Sequence, residues 1–289
     1  MKRTVIFLLT LALVVAVAFF WGCSDDDTGT NPGSIDDPEF EAFGEGFEIA
    51  DDVSGRMFDI TFDFVGQLLN PPAGKKLPVD YFEYHSNTQY WYCSTTIVDD
   101  EIEYAEYAFV DTIQFWHGNY IVQWPKEDSL TEIRTYAFVR PITPPDFMDS
   151  IYAEQGGILS KPSAISDTLT LNGSGSFYTD YTDTIEDDND TIACDILLDY
   201  DIDYDGLSFY ISGMEGSESG VCPFEGVLSF NGDADINCVH SDQSTVSVTG
   251  AWNVTEEFDD GEITITVTNG NTVWTINNDC DTGAPISKK

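Results

Sequence analysis

Aspartates alternate with larger side chains along Asp199-Tyr200-Asp201-Ile202-Asp203-Tyr204-Asp205-Gly206. Asp-x-Asp-x-Asp-Gly is the opening of a calcium-binding loop, in which hard carboxylate oxygens surround Ca²⁺. Such a loop needs a bidentate Glu at its twelfth position; counting from Asp201, that position is Ser212. The alternation equally describes the solvent face of a strand. Same-face neighbours then lie about 6.6 Å apart, so chelation needs help from an adjoining strand. Ca²⁺ is therefore a candidate ion at Asp199, Asp201, Asp203 and Asp205. Glu186-Asp187-Asp188-Asn189-Asp190 is a second acidic cluster, read as a turn between strands.

Groups suited to nucleophilic or acid–base catalysis are sparse. His85, His117 and His240 fall in unrelated contexts. Neither His-Glu-x-x-His nor Gly-x-Ser-x-Gly occurs, and there is no Walker loop or dinucleotide fingerprint. With 52 acidic residues, paired carboxylates for glycoside hydrolysis arise by chance. The expectation is a protein that is not an enzyme, with a carbohydrate-active enzyme as the catalytic alternative. Tyr81, Phe82, Tyr84, Tyr90, Trp91, Tyr92, Trp116, Tyr120 and Trp124 form an aromatic-rich region. Rings turned outward beside carboxylates suit a sugar or another amphipathic ligand; rings turned inward are core.

The formal net charge is −41, and −43 without Lys2 and Arg3. Such a surface repels nucleic acid and anionic lipid headgroups. Composition that is 42% hydrophobic and 13% aromatic nevertheless supplies a core, so the chain is expected to fold.

The N-terminus carries the clearest assignment. Lys2 and Arg3 precede an apolar run from Thr4 to Phe20, and Gly22-Cys23 leads into Ser24-Asp25-Asp26-Asp27. This resembles the signal peptide and lipobox of bacterial lipoproteins. Phe20 and Trp21 stand where that box usually carries Leu and a small residue. The resemblance implies cleavage before Cys23, lipidation of Cys23 and attachment to a membrane through the lipid. An uncleaved anchor, or a cleaved signal with an incidental cysteine, would export residues 24–289 just the same. Ser24 directly after the cysteine resembles an outer-membrane sorting pattern, and the acidic run resembles surface-export tags. The expected address is the cell envelope, at the outer membrane, periplasmic or surface-exposed.

In an oxidising compartment, five cysteines remain once Cys23 is lipidated. Cys93 lies in a strand-like run far from the others and is read as a buried free thiol. Cys222 and Cys238 flank Asn231-Gly232 and are paired here, which leaves Cys194 with Cys280. Asp-Thr-Ile and related triplets, such as Asp111-Thr112-Ile113 and Asp183-Thr184-Ile185, resemble an O-glycosylation acceptor motif of exported bacterial proteins.

The elements that must position these groups read as mainly β. Residues 1–22 are the signal peptide, 23–45 a lipidated flexible acidic tether, and 46–289 a β-rich globular region. That region divides into 46–160, a helix plus aromatic-rich strands, and 161–289, a meander. Ile49, Val53, Met57, Ile60, Phe64 and Leu68 recur at helical spacing from Glu48 to Pro71-Pro72. Alternating Phe58, Ile60, Phe62 and Phe64 leave a strand open there. Strands are expected over 88–98, 102–116 and 119–124, with His117-Gly118-Asn119 as a turn. Ser129 and Glu132 predict a short helical turn near 129–136. Residues 141–161 read as an irregular crossover. Asp205-Gly206, Asn231-Gly232, Asp260-Gly261 and Asn269-Gly270 predict tight hairpins. Trp252, Val254, Glu256 and Phe258 share one strand face. The expected fold is an antiparallel meander forming a strongly curved sheet, half-barrel or barrel, with one N-terminal amphipathic helix. Its function is expected to be binding of a small molecule, a glycan or an envelope protein. The alternative is a Ca²⁺-stabilised structural or adhesive surface protein.

Overall fold

A computed structural model describes residues 31–35, 37–69, 82–99, 105–124, 129–141, 150–163, 166–187, 190–210 and 222–279. Asp37 and Pro38 begin its helix. The Asp37 carboxylate accepts a hydrogen bond from the Glu39 amide at 3.0 Å, as an N-cap does, and Pro38 takes the first helical position, where no amide is required. Glu39 and Glu41 occupy the first turn, where the helix dipole favours negative charge. The helix α1 spans Pro38–Leu69, 32 residues. It therefore starts ten residues before Glu48, and residues 38–45 of the expected tether are helical. Phe40, Phe43, Phe47, Ala50, Met57, Val65 and Leu68 are buried along it at spacings of three, four and more. Of the stripe read from sequence, Met57, Phe64 and Leu68 are buried, whereas Ile49, Val53 and Ile60 are half-buried.

Strands make up the rest. β1 (Asn31–Pro32) precedes the helix; β2 (Phe82–His85), β3 (Tyr90–Asp99), β4 (Ala105–His117) and β5 (Tyr120–Val122) follow it. Then come β6 (Glu132–Pro141), β7 (Ser150–Ser160), β8 (Thr168–Asp187) and β9 (Asp190–Tyr210). β10 (Glu225–Val239), β11 (Thr245–Asp259), β12 (Glu262–Asn269) and β13 (Thr272–Asp279) complete the sheet. The spatial order is β1-β13-β12-β11-β10-β9-β8-β7-β6-β4-β3-β2, with β5 paired to β4. Every pairing is antiparallel except the two-residue bridge of β1 to β13. From β6 to β13 each strand pairs with its successor, a meander that does not close into a barrel.

Two of the four expected hairpin signals are turns. Asp260 and Gly261 have φ of 48° and 91° and join β11 to β12; Gly270, at 58°, helps join β12 to β13. The other two lie inside strands. Gly206 takes φ 67° within β9, where the register against both β8 and β10 slips by one residue. Its positive φ serves a β-bulge, not a turn. Gly232 is in mid-β10, and a Cβ there would sit 2.0 Å from the Asp199 carbonyl oxygen, so the glycine permits close strand approach.

Two other expectations are corrected. Glu132–Pro141 is strand β6, not a helical turn, because Ile133, Ala137 and Val139 face the core with period two. Most of the expected crossover is strand β7, in which Ile151, Ala153 and Leu159 are buried.

The disulfide pairing also differs. Because Asn231-Gly232 does not turn the chain, Cys222 and Cys238 are not opposed. Cys238 lies directly across from Cys194 in the β9–β10 register, and those two are bonded, with Cα atoms 4.1 Å apart. Cys222 is also disulfide-bonded. Cys93 is the buried free thiol.

The core lies between α1 and one face of the sheet. Phe40 stacks on Trp274 at 5.0 Å, Phe43 on Trp252 at 4.5 Å, and the two tryptophans on each other at 5.3 Å. Phe47 meets Phe230 edge-on, Phe58 meets Tyr204, and Phe62 meets Phe209, all at 5.0 Å. Phe64 reaches Phe82 and Phe109. These offset and edge-on contacts suit the ring quadrupoles and fasten the helix to β2, β4, β9, β10, β11 and β13.

Candidate functional site

β9 separates its two faces residue by residue. Tyr200, Ile202 and Tyr204 are buried against the helix side; Asp199, Asp201, Asp203 and Asp205 are exposed. The segment is thus a strand instead of a calcium loop. Its register puts Asp233 opposite Asp199 and Asn231 opposite Asp201, on the next strand. Among the described residues no group of three or more His, Cys, Asp or Glu is set to hold a metal ion. Cys23 and Cys280 lie outside the described residues. No described helix is long and apolar enough to cross a membrane. His85 stacks on Tyr90 in β2 and β3, His117 ends β4, and His240 follows β10.

The aromatic-rich region divides between core and rim. Trp91 is buried, donates its indole N–H to the Gln123 carbonyl at 2.9 Å, and meets the half-exposed Trp124 at 4.7 Å. The Arg134 guanidinium lies 4.2 Å over the Trp116 ring.

The outward rings farther along the chain are the ones sequence reasoning missed. Tyr136 on β6 and Tyr152 on β7 are 46% and 48% exposed, and Tyr178 on β8 lies opposite Tyr152 with ring centroids 6.5 Å apart. Tyr136 donates its hydroxyl to Glu154 at 2.7 Å, which pushes the phenol pKa up. Arg140 is exposed like Tyr136 in the alternation of β6, with its guanidinium 5.7 Å from the Phe138 ring. Alternation was the available signal: buried Ile151 and Ala153 bracket Tyr152, and buried Ala137 follows Tyr136.

A second arrangement sits on the helix side. A cleft separates the first half of α1 from β11, β12 and β13, walled by Phe40, Phe43, Phe47, Val254, Ile265 and Ile276. Glu41 and Asp51 from the helix, Glu256 from β11 and Asn278 from β13 also line it. Its volume open to the centre of a water molecule is about 60 Å³. Glu256 alternates with Trp252, Val254 and Phe258, so its carboxyl joins their buried face. Burial, and then the nearby Asp51 carboxylate, hold its pKa well above the usual carboxylate range. Asn278 is 1% exposed, and neither its Oδ1 nor its Nδ2 has a hydrogen-bond partner.

A third buried polar group ties the helix to the sheet. Thr61 donates its hydroxyl to Asp111 Oδ2 at 2.8 Å, beneath β4. Asp111 is fully buried, opposite Cys93, and desolvation raises its pKa to about 6, with the Thr61 hydrogen bond working the other way. Burial and the neighbouring Asp111 raise the Cys93 thiol far above its ordinary value, so it is no nucleophile.

No protein-family model matches the chain, and no curated protein or solved structure is similar to it.

Proposed function

We propose that the chain is an exported envelope protein, lipid-anchored at Cys23, whose sheet domain binds a glycan on its outward face without catalysing a reaction. The outward rings of Tyr136, Tyr152 and Tyr178 on three adjacent strands carry this reading. Tyrosine offers a rigid apolar face at low entropic cost together with a polar tip. Glu154 on β7 bonds the Tyr136 hydroxyl, and Arg140 lies four residues beyond Tyr136 on β6. A sugar presents both C–H faces and hydroxyls, so it matches rings flanked by polar groups.

The shape of the sheet bears on the same reading. Over residues 57–68 α1 exposes Asp59, Asp63 and Gln67, while the others, from Ile60 round to Phe62, are buried or half-buried. At 3.6 residues per turn this covers roughly 200° of the helix, wider than the ~100° stripe of a helix on a flat surface. Thr61 bonds to β4 while its neighbour Phe62 meets β9, four pairings away, or about 19 Å along a flat sheet. A half-barrel wrapped around the helix accounts for both. In that shape the helix fills the inside, and the convex outer face is left for an extended ligand.

Affinity electrophoresis through gels carrying different polysaccharides tests the proposal. Retardation of the wild type by at least one, lost in Tyr152→Ala and Tyr136→Ala, is the expected result. Wild type retarded by none, or variants retarded equally, would overturn the glycan assignment, and turnover of a polysaccharide would move it to an enzyme. Cys23→Ser should shift the protein from membrane to soluble fraction.

The facing of Asp199 and Asp233 favours a second reading, a surface protein stabilised by Ca²⁺ between acidic strands. Like charges directly opposed across a pair cost stability unless a cation intervenes. A melting temperature unchanged by Ca²⁺ and by chelator at constant ionic strength would remove this reading.

A further inference from the structure

We propose that the cleft between α1 and strands β11–β13 is a binding site for a small organic ammonium ion, its charged head among Asp51, Glu256 and Asn278 and its apolar body against the phenylalanines. Asn278 is the observation that points to a ligand. It is buried to 1% exposure, lines the cleft, and leaves both amide heteroatoms without a partner. Buried polar groups of native proteins are almost always satisfied, so an orphaned amide at a cleft wall marks where a polar atom of something else belongs. The open volume of about 60 Å³ is room for roughly four waters, or for a short alkyl or aryl group entering from outside.

The chemistry of the walls selects the ligand class. Three carboxyl groups line the cleft, the exposed Glu41 and, ten residues farther along α1, Asp51 beside Glu256, among mostly apolar side chains with no Lys, Arg or His. An anion is therefore repelled. A neutral alcohol could satisfy Asn278 but gives the buried Glu256 no opposite charge. Calcium asks for six to eight oxygens; Glu41 and Asp51 stand ten residues apart on α1, about 15 Å along its axis, so they do not share one ion, and Asp51, Glu256 and Asn278 supply five oxygens at most. An ammonium has N–H donors for carboxylates and the amide oxygen, and the Phe40, Phe43 and Phe47 side chains that line the cleft give its alkyl body an apolar wall. The raised Glu256 carboxyl fits the same picture: burial and the Asp51 carboxylate hold its pKa up, and a cation beside it would draw that pKa back down.

The test is isothermal titration calorimetry of the purified full-length chain in nonionic detergent at 0.15 M NaCl, with micelle blanks subtracted and n-hexylammonium chloride as the probe. Saturable one-to-one binding is expected, tighter than that of methylammonium by on the order of tenfold or more because of the buried alkyl chain. Proton release should appear as a dependence of the heat on buffer ionisation enthalpy. The isosteric variants Glu256→Gln and Asp51→Asn should each weaken binding by about tenfold or more, and loss in either, with circular dichroism unchanged, supports the site. Four results would overturn the proposal. These are no binding, hexylammonium no tighter than methylammonium, hexan-1-ol or CaCl₂ as tight as hexylammonium, or both folded variants binding like wild type. The second of these would mean simple attraction to an acidic surface.

Discussion

Replacing Asp111 by Asn should make the protein more stable at neutral pH, and the gain should vanish in acid. Asp111 is fully buried beneath β4, and its pKa rises from 3.8 to about 6. A carboxylic acid raised in the folded state binds its proton more tightly there than in the unfolded chain. Its contribution is therefore most favourable below the unfolded value of 3.8, is lost as pH rises through the window to 6, and is constant above it. A shift of about two units corresponds to roughly 3 kcal/mol at pH 7. Asn keeps the shape and an oxygen acceptor for the Thr61 hydroxyl, 2.8 Å away in the wild type, but never ionises. Urea unfolding of lipid-free residues 24–289, followed by tryptophan fluorescence from pH 4 to 8 at fixed ionic strength, measures the difference between the two chains. Repulsion among the many surface carboxylates, and the titration of Glu256, are common to both and cancel. The variant should gain about 3 kcal/mol at pH 7 and only about 0.5 kcal/mol near pH 4. A gap of constant size across the range, or a wild type that is the more stable at pH 7, would refute the argument that desolvation governs this group.

Removing the Cys194–Cys238 bond by a double change to Ala should cost up to about 4 kcal/mol in urea unfolding, from the chain entropy of a 44-residue separation. Phe43→Ala should cost about 3–5 kcal/mol in the same assay, since Phe43 is 1% exposed and stacks on Trp252. Alkylation of non-reduced, lipid-free chain should modify one thiol, Cys93, and only in denaturant; mass spectrometry of native protein should find none modified.

Fold class and much of the meander were legible because alternation of apolar and polar residues dictates which face a strand buries. The Asp-Pro start of α1 was not read as one, because Gly44 and Gly46 lower helix propensity across its first turns. The helix forms there because Phe40, Phe43 and Phe47 gain the Trp252–Trp274 stack, a tertiary contribution that no local window contains. Strand β7 was obscured by Pro141, Pro144 and Pro145 before it and Gly156-Gly157 within it. The Tyr136 side chain lies across Gly156 and shields the backbone there, another contact between distant residues.

The disulfide shows how one local misreading propagates. Asx-Gly signals the freedom to take positive φ, and that freedom serves a bulge at Gly206 as readily as a turn at Asp260-Gly261. Reading Asn231-Gly232 as a turn folded one long strand into two and paired Cys222 with Cys238. In the actual register Cys238 faces Cys194, and the length of β9 and β10 sets that match.

The same register logic locates the cleft. Glu256 was visibly in phase with Trp252, Val254 and Phe258, yet an acid on an apolar face has no meaning until its neighbours are known. Asp51 is 205 positions away, and Asn278 lies two strands across. Alternation alone could say that Glu256 is buried; only the helix crossing above β11 could say that it is buried beside another carboxyl. A carboxyl held in phase with a tryptophan core is expensive to retain, because a Leu in its place would pack without desolvation cost. That cost is the physical reason to look for a cation in the cleft rather than to treat Glu256 as part of the packing.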